Sequence, residues 1–98
     1  MVITKQQNGT ALTLKLEGRL DALSSPMLEE ELNLSLDGIT DLTLDFEKLE
    51  YVSSAGFRVL IIAYKLMHGK GSLKVINACS LVKEAFRLAC VDNIISVS

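Results

Sequence analysis

The stretch Leu49-Glu50-Tyr51-Val52-Ser53-Ser54-Ala55-Gly56-Phe57-Arg58-Val59-Leu60 decides the fold of this chain. It runs from an apolar pair, Tyr51-Val52, through three small residues into a segment with helical spacing. Phe57, Leu60, Ile61 and Tyr64 recur at i, i+3, i+4 and i+7, which predicts a helix with a buried stripe. The segment is apolar around much of its circumference, so it should pack on more than one side. His68-Gly69-Lys70-Gly71 ends it. A chain segment that turns into a helix through two serines places both hydroxyls where the first helical N–H groups lack partners.

Upstream, Val2 to Gln7 and Ala11 to Glu17 read as two strands joined by Asn8-Gly9, a strong hairpin signal. Leu12, Leu14 and Leu16 alternate with Thr13, Lys15 and Glu17, so one face is buried and the other wet. Gly18-Arg19-Leu20-Asp21 breaks this pattern. Ser24-Ser25-Pro26 reads as a helix start, a Ser cap followed by Pro at the first helical position. Leu28, Leu32 and Leu36 carry that helix to Asp37-Gly38. Asp41 to Phe46 is a third strand, followed by a turn at Glu47-Lys48-Leu49-Glu50. Downstream, Leu73 to Ile76 reads as a largely buried fourth strand. Ser80 should cap a third helix bearing Val82, Ala85, Phe86 and Ala89, and Asn93 to Val97 is a short strand or tail.

The order is β-β-α-β-α-β-α, with or without a last strand. Strands alternating with helices require parallel crossovers, and the opening hairpin adds an antiparallel pair. The predicted fold is therefore α/β: one domain over residues 1–98, with a small mixed sheet and helices packed against it.

Composition excludes several functions. Ninety-eight residues leave no room for a second module, and 49% hydrophobic residues are too many for a disordered tail. A net charge of -2 lacks the basic field of a general nucleic-acid binder. No segment approaches the roughly 20 apolar residues of a membrane span, and the N-terminus turns polar too early for a signal peptide. These features point to the cytoplasm, with no direct membrane insertion. Cys79 and Cys90 have neither redox-motif nor zinc-knuckle spacing, and a lone His68 cannot complete a metal site. Both thiols are expected to be buried, and no cofactor is implied.

The serines admit two readings. They could cap the helix, or the helix start could favour an anion, including a phosphate on one of the serines. A hydrolase is disfavoured because Val-Ser-Ser-Ala-Gly lacks the first glycine of GxSxG. His68 should also lie about 20 Å away, at the far end of the same helix. Gly69-Lys70-Gly71 lacks the phosphate-loop frame and is a turn. Asp21 is either a loop carboxylate bonded to nearby amides or part of a site. Asp45 should sit at a strand end or be exposed, and Glu29-Glu30-Glu31 should be a solvated face near the positive end of the helix dipole.

Gly18-Arg19-Leu20-Asp21, Leu42-Thr43-Leu44-Asp45-Phe46 and the stretch from Leu49 to Leu60 together resemble the STAS domain, and within it the stand-alone bacterial anti-sigma factor antagonists. Gly71 to Val75 and Ser80 to Phe86 fit the family's closing strand and helix, so the likeness covers nearly the whole chain. The resemblance implies a partner switch. A dephosphorylated antagonist binds an anti-sigma factor that is a serine kinase, is phosphorylated on a loop serine and separates. A metal-dependent serine phosphatase then resets it.

The family's loop reads Asp-Ser-Ser/Thr-Gly. Aligned through Gly56, its phosphorylated serine corresponds to Ser54. Ser53 stands at the aspartate and Ala55 at the second hydroxyl, which leaves Ser53 as the alternative site. Leu81 stands where many relatives have Pro, and Asp21 matches an aspartate near the modified serine. The implied partner-binding set is Asp21, Ser53, Ser54, Ala55, Gly56, Phe57 and Arg58, with no catalytic or metal residues, in a monomer or weak dimer. The alternative is a non-switching STAS interaction module of a stressosome, transporter or lipid-transport complex. From a different class, a small enzyme or ligand-binding protein could use the cleft near Asp21 and Ser54.

Overall fold

The computed structural model describes all 98 residues. Strand β1 (Val2–Asn8) turns back on β2 (Ala11–Leu20), and helix α1 (Ser25–Ser35) leads to β3 (Asp41–Val52). Helix α2 (Ser54–Met67), β4 (Ser72–Ile76), α3 (Ser80–Leu88), a 3-10 turn (Val91–Asn93) and β5 (Ser96–Val97) follow. The five strands lie in sequence order, β1 antiparallel to β2 and every later pair parallel. Each parallel pair is linked through one helix, the α/β arrangement the sequence predicts.

The alternation in β2 sets the orientation of the sheet. Leu14 pairs with Leu44, and Leu44 with Val75, so one buried row crosses three strands. The neighbouring row, Thr13-Thr43-Lys74, points the other way. Phe46 of β3 meets Phe86 of α3 with ring centroids 6.3 Å apart, and Phe86 meets Phe57 of α2 at 5.1 Å. Those contacts seat α2 and α3 on the leucine face. Twenty-three buried apolar residues form one core there.

Several local features differ from the sequence reading. The hairpin loop is Gly9-Thr10, because Asn8 already pairs with Ala11 and Gly9 takes a φ of +64°. The expected turn at Glu47 to Glu50 is absent: β3 runs on to Val52, and β2 continues through Gly18 and Arg19 to Leu20. Register shifts between Lys15 and Glu17 and between Gly18 and Arg19 break the period of two. Phe46, Leu49 and Val52 are buried while the charged residues between them face water. Bulged strands lose their alternation, so the extension does not look like a strand in sequence.

In α2 the buried stripe is Gly56, Val59, Leu60, Ala63 and Met67; Phe57, Ile61 and Tyr64 are only half-buried. The helix does pack on two sides, against α1 and against β3 and β4. In β4 only Val75 is buried. Helix α3 starts after Cys79 without a side-chain cap, so Ser80 is its first residue; Ala89 lies just past its end and is exposed. Glu29, Glu30 and Glu31 fall beyond the first turn of α1, where the dipole has little reach. Cys79 and Cys90 are both exposed, not buried, because they flank α3 instead of lying on its inner face.

Candidate functional site

The parallel pairing of β2 with β3 ends at Leu20 and Val52, which brings two loop starts together. The Ser53 N–H donates to the Leu20 carbonyl at 2.9 Å. Ser53 is extended (φ -90°, ψ 176°), its carbonyl accepts from Phe57 N–H at 2.9 Å, and its hydroxyl accepts from Gly56 N–H at 3.3 Å. It is therefore the N-cap of α2, the geometry in which a serine satisfies one unpaired helical amide. A Cβ on Gly56 would stand 2.7 Å from the Leu20 carbonyl oxygen and 2.9 Å from its Cγ. Only glycine lets the helix start this close to the end of β2.

Ser54 is the first residue of α2 and is exposed. Ala55 and Phe57 are half-buried, Gly56 is buried, and Arg58 is exposed one turn further on. Asp21 follows Leu20 directly and so belongs to the same corner. Its Oδ1 accepts from the Leu23 and Ser24 N–H groups, each at 3.1 Å. The Ser24 N–H, helped by the Ser24 hydroxyl, the Leu23 N–H and Arg19, holds the carboxyl below its ordinary 3.8, with partial desolvation opposing. The carboxylate is thus ionised and fixed at neutral pH. Pro26 is the second helical residue of α1 and not the first, and Ser24 stands at the N-cap position without capping through its side chain: its hydroxyl donates to the Arg19 carbonyl at 2.6 Å and receives the Asp21 N–H at 2.9 Å. The serine closes the β2–α1 loop instead.

Of the residues singled out in sequence, Ser53 to Arg58 are contiguous at the start of α2 and Asp21 adjoins them through the Leu20–Ser53 hydrogen bond, while the Phe57 ring packs against Phe86 of α3. Sequence reasoning missed Arg19 and Tyr51. They face each other across the strand pair, the guanidinium 4.5 Å from the Tyr51 ring centroid and Nε 3.9 Å from Asp21 Oδ2. The bulge that pairs them leaves no mark in sequence. Leu23 (91% exposed) and Met27 lie on the same side and, with Met1 and Glu50, border a shallow open depression beside Asp21.

Asp45 stands outside this site. It is 8% exposed in the middle of β3, contrary to the end or exposed position expected, and its Oδ1 accepts from Glu47 N–H at 3.0 Å and Asn77 Nδ2 at 3.1 Å. Asn77, at φ +59°, brings its amide over the strand and covers the carboxylate. His68 caps the opposite end of α2 and cannot serve Ser54 as a base. No helix is long and apolar enough to cross a membrane.

Residues 3–96 match the family model described as "Mlab, STAS domain". The chain belongs to the STAS domain family. A Bordetella bronchiseptica protein named as a candidate anti-sigma factor antagonist, BtrV, is 32% identical over 91 residues, 91% of this chain and 78% of that protein. The anti-sigma-B factor antagonist of Bacillus subtilis is 27% identical over 94 residues, 95% and 86% of the two chains. The fold matches SpoIIAA from Bacillus, an anti-sigma factor antagonist whose structure is known in two forms. The unphosphorylated form gives a TM-score of 0.77 and the phosphorylated form 0.76, each at 13% identity. The match covers 99% of this STAS chain, and 87% and 91% of the respective SpoIIAA chains.

Proposed function

We propose that this STAS domain is an anti-sigma factor antagonist acting as a phosphorylation-controlled partner switch in the cytoplasm, as a monomer or weak dimer. Its dephosphorylated form docks the corner made by Asp21 and the start of α2 on an anti-sigma factor serine kinase. The kinase modifies Ser54, the complex separates, and a metal-dependent serine phosphatase restores the hydroxyl. The chain works as a binding protein, with no cofactor and no reaction of its own.

One observation carries the choice of serine. Ser53 and Ser54 are adjacent, yet the Ser53 hydroxyl is half-buried and engaged by Gly56 N–H, whereas Ser54 is exposed at the helix surface. The departure from the family's Asp-Ser-Ser/Thr-Gly loop also has a physical account. An aspartate and a serine are both good N-caps, and Ser53 keeps the cap where the carboxylate is missing. Phosphorylation would add about -1.5 to -2 charges beside the ionised Asp21. A hundredfold loss of affinity corresponds to about 2.7 kcal/mol, within reach of one misplaced charge at an interface. No refolding is needed.

Incubation with the cognate anti-sigma factor kinase and Mg-ATP, followed by peptide mapping in a mass spectrometer, tests this. Label should appear on Ser54, persist in Ser53→Ala and vanish in Ser54→Ala. Label on neither serine would overturn the switch and favour the non-switching interaction module. The serine at the family's aspartate position is the feature that supports that second reading.

A further inference from the structure

We propose that Arg58 is the internal counter-ion of a phosphate on Ser54, so that modification changes two charges on the docking face at once. This rests on Ser54 being the modified residue.

Ser54 opens α2 and Arg58 lies four residues along the same helix, both exposed. Residues at i and i+4 have Cβ atoms about 5–6 Å apart, and helical side chains lean toward the N-terminus. This spacing puts Arg58 within reach of a phosphate on Ser54. In the unmodified chain its guanidinium takes part in neither of the two ion pairs, Arg19–Asp21 and Arg87–Glu84, and in none of the side-chain hydrogen bonds. It is an uncommitted cation at a corner that also carries Asp21, Glu50 and Arg19.

Arg19, the other cation at this corner, is already committed. It stacks on Tyr51 at 4.5 Å and approaches Asp21 at 3.9 Å. The charged groups on the elements that meet at Ser54 are then Asp21 and Arg19 from the end of β2, Glu50 from the end of β3, and Arg58 on α2. The two carboxylates repel a phosphate from the strand side, and Arg58 receives it on the helix side. A guanidinium fork pairs a phosphate through two parallel hydrogen bonds, which fixes its pose better than a point charge does. Before modification Arg58 offers its positive charge to an acidic group of the partner. After modification the phosphate takes that charge for itself.

The test uses the full chain with phosphoserine built in at position 54 during translation, which makes it independent of any kinase. The phosphate is titrated by phosphorus NMR in the parent, Arg58→Gln and Arg19→Gln proteins. Removing the counter-ion should raise the second phosphate pKa by roughly half a unit in Arg58→Gln, as loss of a charge-assisted i,i+4 pair implies. Arg19→Gln should produce a smaller shift. An unchanged value in Arg58→Gln, with circular dichroism showing the fold intact, or a larger shift in Arg19→Gln, would overturn the assignment. Failure of the kinase to label Ser54 would instead sink the switch reading and leave this titration to stand or fall by itself.

Discussion

Ser53 and Leu20 are joined by a backbone hydrogen bond of 2.9 Å, which ties the start of α2 to the end of β2. That bond places Ser54 beside the loop that holds Asp21, although the two residues are 33 positions apart in sequence. The junction rests on the Ser53 cap and on Gly56, and the adjoining β2–α1 loop on the Asp21 carboxylate.

Gly56→Ala should loosen the junction directly. Its Cβ would press on the Leu20 carbonyl oxygen, a backbone atom that cannot rotate away. Overpacking of this kind costs about 1–3 kcal/mol, more than the gain in helix propensity of up to about 1 kcal/mol. Urea unfolding of the variant should show a lower midpoint with an unchanged slope.

The two serines should separate in stability. Ser53→Ala removes the α2 cap and should cost about 1 kcal/mol. Ser54→Ala leaves an exposed first-turn position and should stay within about 0.5 kcal/mol of the parent. Chemical denaturation of both variants checks this, and equal losses would contradict the assignment of Ser53 as the cap.

Phe86 should be the costliest single truncation near the site. It is fully buried between Phe46 of the sheet and Phe57 of α2. Phe86→Ala should lose about 3–5 kcal/mol, of the order of half or more of a small domain's stability. Loss of a cooperative thermal transition, or a large fall in its midpoint, is the expected readout.

Acid should weaken the fold partly through Asp21. Its carboxyl is held below its ordinary 3.8, chiefly by the Ser24 N–H, so the folded state binds its proton later than the unfolded state does. That contribution is fully present above about pH 4 and is lost as pH falls through the lower folded value. The midpoint of the parent should drop more steeply below pH 4 than that of Asp21→Asn, as thermal scans across the acid range would show. Parallel curves would mean that Asp21 is not held as described.

Regular elements were legible in sequence where one period held throughout. The alternation of Leu12, Leu14 and Leu16 specified both β2 and its buried face, and the βαβ order specified the parallel pairs. Legibility failed where tertiary pairing overrode local pattern. Glu47-Lys48-Leu49-Glu50 looks like a turn because four polar-rich residues interrupt the period, yet bulges let Leu49 reach the core and β3 continue. Helical spacing alone puts the α2 stripe at Phe57, Leu60, Ile61 and Tyr64, rotated from the observed one, because apolar residues lie on most sides of the helix and Gly56 is buried through lack of a side chain. At the site, the motif from Ser53 to Arg58 was visible, and so was Asp21. The Arg19–Tyr51 stack was not, since only the shifted register makes those residues neighbours.

The affinity of the cognate anti-sigma factor kinase for two forms of the chain tests the switch most directly. Isothermal titration calorimetry would compare the chain carrying serine at position 54 with the chain carrying phosphoserine there. The phosphorylated form should bind at least about a hundredfold more weakly, a loss of about 2.7 kcal/mol or more. Equal affinity of the two forms would contradict the switch.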